Sequence, residues 1–335
     1  MFENSKILIT GGTGSLGQAL TKRLLEMNVN TIRIFSRNEN NQIKMESEFD
    51  DGRLRFLLGD IRDKDRLIRA TEDIDYVFHA AALKHVPKIE YNPFEAIKTN
   101  VISSQNVIDA CLVSKVKKCV CIGTDKAVSP LNTYGATKLL MEKLFVTANN
   151  YLNSVNHSTK FLAVRYGNVL GSSGSVIPKF IEQLQNKQKI TITDNKMTRF
   201  SITMNEALDF ILKSIEISNG SEIFVPKIKS YTISDVKKAL TEIYDDYGED
   251  IIGIRPGEKL HEVLINNEEM RYSWEFNDLY MISNPLYSKF HTSVINENYK
   301  DIKKLDRFDT YSSDVVEKIP HNELIKIIKN SNLLS

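Results

Sequence analysis

The sequence predicts an α/β protein: a doubly wound parallel sheet with a smaller mixed α/β lobe. Three observations carry this. Short apolar runs alternate with amphipathic stretches through the first half of the 335 residues. A glycine-rich turn directly follows the first of those runs, and after Asn168 the alternation gives way to a mixed pattern. Repeated strand–helix–strand units bury both faces of a parallel sheet, and the glycine turn marks the Rossmann type.

The first strand is Lys6 to Thr10, and a helix with Leu20, Leu24 and Leu25 on one face follows it. Thr31–Phe35, Leu54–Leu58, Tyr76–His79, Lys118–Ile122 and Phe161–Arg165 read as the next strands, with helices over Val101–Ser114 and Thr137–Asn149. Residues 1–167, joined by about 201–218, form the dinucleotide-binding domain. Residues 168–200 and 219–335 form a substrate-binding lobe. Beyond Glu275 the chain is polar and aromatic-rich, which reads as an ordered extension or an oligomer arm.

Composition narrows the function. Lys plus Arg number 44 and Asp plus Glu 43, so a net charge of +1 gives no reason to expect nucleic-acid or membrane binding. No apolar run is long enough to cross a bilayer, and Met1–Asn4 lacks the basic start of a signal peptide. The three cysteines fit a reducing, cytoplasmic setting. Cys119 and Cys121 lie in a strand and match no zinc spacing, so no metal is expected.

The cofactor site is read first from Gly11, Gly14 and Gly17. With Thr13, Ser15 and Leu16 they form a turn between strand and helix. Glycine lets the backbone approach a pyrophosphate, and the helix start supplies N–H groups and a positive dipole end. The second strand ends in Ser36-Arg37-Asn38, without the acid that binds a ribose 2′-hydroxyl. Arginine suits a 2′-phosphate, so NADP is the expected cofactor. Asp60 and Ile61 end the third strand, where Asp60 could accept from the adenine amine. Ala80, Ala81 and Ala82 end the fourth, small enough for the cofactor to lie flat on the sheet.

The chemistry is read from Thr124-Asp125-Lys126 and from Tyr134 and Lys138. The last two stand one helical turn apart on one face, where a Lys cation favours the phenolate that takes a hydroxyl proton during hydride transfer. Asp125 and Lys126 add a second proton-transfer function such as dehydration. At neutral pH that requires a protonated Asp125 and a neutral Lys126. Each must move by about 3 pKa units, about 4 kcal/mol apiece. Burial moves both the right way; a direct ion pair moves both the wrong way. The reading therefore expects the two heads apart, or coupled through substrate.

At these residues the chain resembles the extended short-chain dehydrogenases/reductases, and more closely the inverting UDP-N-acetylglucosamine 4,6-dehydratases of pseudaminic acid and capsule biosynthesis. The resemblance spans ITGGTGSLG (9–17), FSRNE (35–39), GDIRD (59–63), HAAALKHVP (79–87), TDKA (124–127), YGATK (134–138), RYGNV (165–169), GSVIP (174–178), MTRF (197–200) and IRPGEKLHE (254–262). It implies internal hydride recycling through NADP. Tyr134 assists oxidation at C4, Lys126 removes the C5 proton, and Asp125 protonates the departing C6 hydroxyl. Hydride then returns to C6 and a proton reaches C5 on the opposite face. The product is UDP-2-acetamido-2,6-dideoxy-β-L-arabino-hex-4-ulose. The resemblance further implies Lys84 beside cofactor and substrate, Val169 beside the cofactor, and Asn168, Ser173, Gly174, Ser175, Val176, Arg199, Arg255 and Glu258 on the nucleotide sugar. It implies a homo-oligomer, often a hexamer. Gly123 and Ser173 depart from the family, which often carries Ser and Arg there. Two other readings are a nucleotide-sugar 4-epimerase or reductase, which needs no Asp125-Lys126, and a non-catalytic NADP-binding sensor, which needs no intact Tyr134 and Lys138.

The cofactor assignment has a direct check. Arg37→Ala should weaken NADP binding by about 10- to 150-fold, the loss of a charge-assisted contact, and spare NAD binding. Titration with both nucleotides measures this, and equal losses would remove Arg37 from the 2′-phosphate.

Overall fold

The structure is a computed structural model that describes all residues except 152–157, 172–174, 285, 287–294, 296–298, 307–308 and 331–335. Six parallel strands form its spine: β1 (Lys6–Thr10), β2 (Thr31–Ser36), β3 (Leu54–Leu58), β4 (Tyr76–His79), β5 (Lys118–Ile122) and β6 (Lys160–Val164). Their order is β3-β2-β1-β4-β5-β6. It reverses between β1 and β4, and in such sheets ligands settle outside the carboxyl ends of the strands at that point. Both faces are buried. Ile7 and Ile9 of β1 pack into one core and Leu8 into the other, which is why these strands are continuously apolar.

Local chemistry sets the helix starts. Asn38 caps α2 (Glu39–Phe49), Asp63 caps α3 (Lys64–Thr71) and Asn132 caps α7 (Thr133–Ala148), each side-chain oxygen accepting from a backbone N–H of the first turn. Helix α1 (Ser15–Leu25) differs. Gly14 stands at its N-cap and no side chain caps it. Between them lie α4 (Val86–Tyr91), α5 (Pro93–Ala96) and α6 (Ser103–Val113), with a π-helical stretch at Ile97–Ile102.

The second lobe has its own core of Ile177, Phe180, Ile190, Val236 and Leu324, formed by helices Val176–Gln185, Ile233–Thr241 and His321–Asn330 and the strand pair Ile190–Ile192 and Glu249–Ile251. The chain beyond residue 219 departs from the expected division. Ile223–Pro226 pairs parallel to β6, Leu279–Ile282 and Ser273–Phe276 continue the same sheet antiparallel, and the short Lys303–Lys304 pairs with Ser273–Phe276, making ten strands. The tail is therefore in part sheet, not an arm. Its apolar strands cover an edge that β6 would otherwise expose.

One ion cluster ties the end of β6 and α7 to the segment 264–269. Arg165, fully buried after β6, holds Glu142 of α7 at 2.5 and 3.0 Å and Glu269 at 2.9 and 3.0 Å, and donates to the Leu264 carbonyl at 2.8 Å. Removing one partner of such a cluster strands a buried charge at about 3–5 kcal/mol. Arg165→Met should lose stability of that order in urea denaturation. A loss within the range of surface substitutions would contradict a buried charge network around Arg165.

Candidate active site

At the carboxyl ends of β1, β4 and β5 the two lobes enclose a cavity of about 970 Å³. One end is the glycine turn. Gly11 has φ +69°, and a Cβ on it would lie 2.8 Å from the Ala81 Cα. A Cβ on Gly17 would sit 2.4 Å from the Gly12 carbonyl oxygen. These two glycines are thus dictated by the protein's own backbone. Gly14 is not: its nearest neighbour would be the Gly11 carbonyl oxygen at 3.3 Å. It lines the cavity at the uncapped start of α1, where first-turn N–H groups have no helical acceptor. A bare, uncapped helix start beside a large cavity fits a dinucleotide pyrophosphate.

Below this turn, Thr10 Oγ1 meets His79 Nδ1 at 2.8 Å, and the His79 ring stacks on Phe145. Burial, with the Lys138 charge adding to it, pushes the imidazole down to about 3. It stays neutral at every physiological pH.

The cofactor candidates that the structure describes line the cavity except Asp60. Asp60 turns to Arg62, accepting at 3.0 and 2.7 Å, with Arg37 at 3.7 Å. Burial works against the charged carboxylate, but the Arg62 hydrogen bonds hold it below its ordinary range. These are strong charge-assisted partners. Ser36 Oγ is occupied by Gln42 Nε2 at 3.0 Å, and Arg37 is half exposed.

The chemical end gathers around Lys126. Its Nζ lies 3.0 Å from Asp125 Oδ1, 3.1 Å from Asn168 Oδ1 and 3.5 Å from Glu262 Oε1. Burial alone would lower this amine, but Asp125 and Glu262 outweigh it and hold the ammonium above its ordinary value. The expected separation of Asp125 and Lys126 is therefore corrected: they form a direct ion pair. The cause is that Asp125, wholly buried, has few other partners. Its Oδ1 takes hydrogen bonds from Lys126 and from Thr124 Oγ1 at 2.8 Å, and its Oδ2 has none.

Thr124, Lys126, Tyr134 and Lys138 line the cavity, whereas Asp125 lies behind them. Burial pushes the Tyr134 phenol up to about 12, against the lowering influence of the Lys126 charge and a Thr124 hydrogen bond. Lys138 shares its helix face but serves another group. Its Nζ donates to the Ile122 carbonyl at the end of β5, at 2.6 Å. Lys126 supplies a cation that lowers the Tyr134 phenol.

Lys84, Asn168, Val169, Ser175, Val176, Arg199, Arg255 and Glu258 line the same cavity. Ser173 and Gly174 lie outside the described residues. The 255–259 loop is fastened beside α7: Asn132 Nδ2 donates to the Gly257 carbonyl at 2.8 Å, and Lys259 Nζ donates to the Val128 carbonyl. Sequence reasoning did not single out Glu262. It closes a motif rich in charged residues, and nothing in spacing separates it from its neighbours. Among the described residues no cluster of His, Cys, Asp and Glu could hold a metal, and no helix is long and apolar enough to cross a membrane.

The comparisons with known proteins agree with this geometry. Residues 7–284 match the family described as polysaccharide biosynthesis protein. An inverting UDP-N-acetylglucosamine 4,6-dehydratase of Campylobacter jejuni subsp. jejuni (strain 81-176) is 45% identical over 99% of both chains. A UDP-glucose 4-epimerase of Rickettsia bellii (strain OSU 85-389) is 39% identical over 93% of both. Among solved structures, Pen from Bacillus thuringiensis superposes with a TM-score of 0.90 at 39% identity over the full length of both chains.

The buried imidazole gives a pH test. His79 is depressed from 6.5 in the unfolded chain to about 3, so the unfolded state binds the extra proton between those values. Its contribution to stability is fully present above pH 6.5 and is lost as pH falls towards 3, by up to about 1.4 kcal/mol per pH unit. Urea melts of wild type and His79→Gln across pH 4–7 should differ in slope by about one proton. Parallel slopes would contradict a neutral buried His79.

Proposed function

The chain belongs to the polysaccharide biosynthesis protein family, and from that premise we propose that it is an inverting UDP-N-acetylglucosamine 4,6-dehydratase using NADP. The observation that carries the reading is the Asp125–Lys126 pair at 3.0 Å, beside Tyr134 in a cavity that also holds the glycine turn. A 4-epimerase needs one acid–base group at C4. It has no use for a second buried pair.

When bound, the dinucleotide supplies a nicotinamide that takes a hydride from C4 and returns it to C6. Gly14 and the start of α1 hold its pyrophosphate, and Ser36 and Arg37 its 2′-phosphate. Arg199, Arg255 and Glu258, which line the same cavity, would hold the nucleotide sugar. Tyr134 takes the C4 hydroxyl proton. Its high resting value means that the Lys126 charge must be fully in force at that step.

The ion pair and the working pair differ only in which of the two residues carries one proton. Moving it from Lys126 to Asp125 converts ammonium and carboxylate into the neutral amine and acid that elimination requires. In water the transfer would cost about 9 kcal/mol, from reference values near 10.4 and 4. Exclusion of water by the seated ligands favours the neutral pair. Lys126 then takes the C5 proton, made acidic by the C4 ketone. Asp125 returns its proton through Thr124, whose hydroxyl bonds Asp125 and lines the cavity, to the departing C6 hydroxyl. Water leaves and the ion pair is restored; the hydride delivered to C6 leaves an enolate that takes a proton at C5 on the opposite face, which balances the C4 hydroxyl proton taken by Tyr134.

Three free, buried cysteines suit a cytoplasmic enzyme. Homo-oligomer formation is supported by exposed Tyr91, Phe94 and Leu140 on the neighbouring helices α4, α5 and α7.

Lys126→Arg tests the reading, because it keeps the positive charge that lowers the Tyr134 phenol but cannot accept the C5 proton at neutral pH. With UDP-N-acetylglucosamine it should develop the NADPH absorbance band without releasing a 6-deoxy product. Normal product formation would exclude Lys126 as the base. A 4-epimer with no water loss from the unaltered protein would favour the epimerase.

A further inference from the structure

Glu262 sits at the junction of the two lobes, just before the strand Val263–Ile265. It is almost completely buried, yet it lines the cavity. Its backbone is held from both sides by the C-terminal segment: Glu262 N donates to Ser313 Oγ at 2.8 Å, and Ser313 N donates to the Glu262 carbonyl at 2.8 Å. Ser313 Oγ is in turn 2.7 Å from Thr198 Oγ1. The side chain cannot drift without moving three chain segments.

Its two carboxylate oxygens differ. Oε1 faces cations, with Lys126 Nζ at 3.5 Å and Arg199 Nε at 3.8 Å. Oε2 is buried with no hydrogen-bond partner. A buried carboxylate oxygen without a donor costs free energy comparable to a lost charged hydrogen bond, so such an atom points to a ligand donor. A sugar ring carries donors: its hydroxyls and an acetamido N–H. Asp125 also has an unpartnered oxygen, but it lies behind the cavity wall. Of the two carboxyl groups on Lys126, Glu262 is the one that a seated sugar meets directly.

We propose that Glu262 is a substrate-positioning residue whose carboxylate accepts a hydrogen bond from a hydroxyl or amide donor of the sugar ring while it holds the Lys126 ammonium. One side chain would then register the reacting ring against the base. This rests on the dehydratase reading and adds to it a contact that neither the glycine turn nor the diphosphate side chains supply.

The test compares two ligands that differ only by the sugar. The protein is loaded with NADPH, which accepts no hydride, so the substrate binds without reacting. UDP-N-acetylglucosamine and UDP are then titrated against wild type, Glu262→Gln and Glu262→Asp. Glu262→Gln should weaken UDP-N-acetylglucosamine by about 10- to 150-fold and leave UDP unchanged. Glu262→Asp keeps the charge but withdraws it by one methylene, so it should give a smaller loss with the same selectivity. If circular dichroism shows that the Gln variant is unfolded, the Asp variant decides. Unchanged affinity for the sugar nucleotide, or equal losses for both ligands, would overturn the assignment while wild-type turnover left the dehydratase reading standing. Failure of wild type to bind UDP-N-acetylglucosamine would overturn both.

Discussion

The Lys126 ammonium, enclosed by Asp125, Asn168 and Glu262, is the interaction on which the rest of the site depends. This partly buried cation is held by close acceptors, and each comes from a different part of the chain. Asp125 is delivered by the end of β5, Asn168 by the segment that follows β6, and Glu262 by the segment before Val263–Ile265. The Lys126 charge therefore requires that these segments be closed on each other. Its field also lowers the Tyr134 phenol, linking oxidation at one carbon to elimination at its neighbours.

Closure is enforced elsewhere. Arg165 joins α7, which carries Tyr134 and Lys138, to Leu264 and Glu269 in the segment that follows Glu262. Ser313 fixes Glu262 from the C-terminal side. Two separate anchors thus hold one carboxylate in register with one amine. That register fixes where the Lys126 amine stands relative to the substrate carbon it must deprotonate.

Much of this was legible in the sequence. The six parallel strands read from apolar runs because burial on both faces leaves no alternation to confuse them. Gly11, Gly14 and Gly17 marked the turn because backbone contact and cavity space both exclude a side chain. Three features were not legible for one shared reason: each depends on which partner a flexible side chain finds. Asp60 turned to Arg62, Lys138 to the Ile122 carbonyl, and Asp125 to Lys126 itself. The strands after residue 219 were missed because they are short and their pairing partner, β6, lies far away in sequence. Glu262 gave no signal because its role comes from Ser313 and Lys126, both remote from it in the chain.

The account treats Lys126 and Asp125 as one proton-sharing unit that strips C5 of its proton within a closed redox cycle. Turnover of UDP-N-acetylglucosamine carrying deuterium at C4, followed by NMR, tests that most directly, with a parallel run of unlabelled substrate in D₂O. The account predicts that the C4 deuterium appears in the C6 methyl group, and that the D₂O product carries solvent deuterium at C5 in the L-arabino configuration from the earliest times. A C4 label that never reaches C6 would contradict the internal redox cycle, and a C5 free of solvent deuterium with its original configuration would contradict the assignment of Lys126 and Asp125 as an inverting pair.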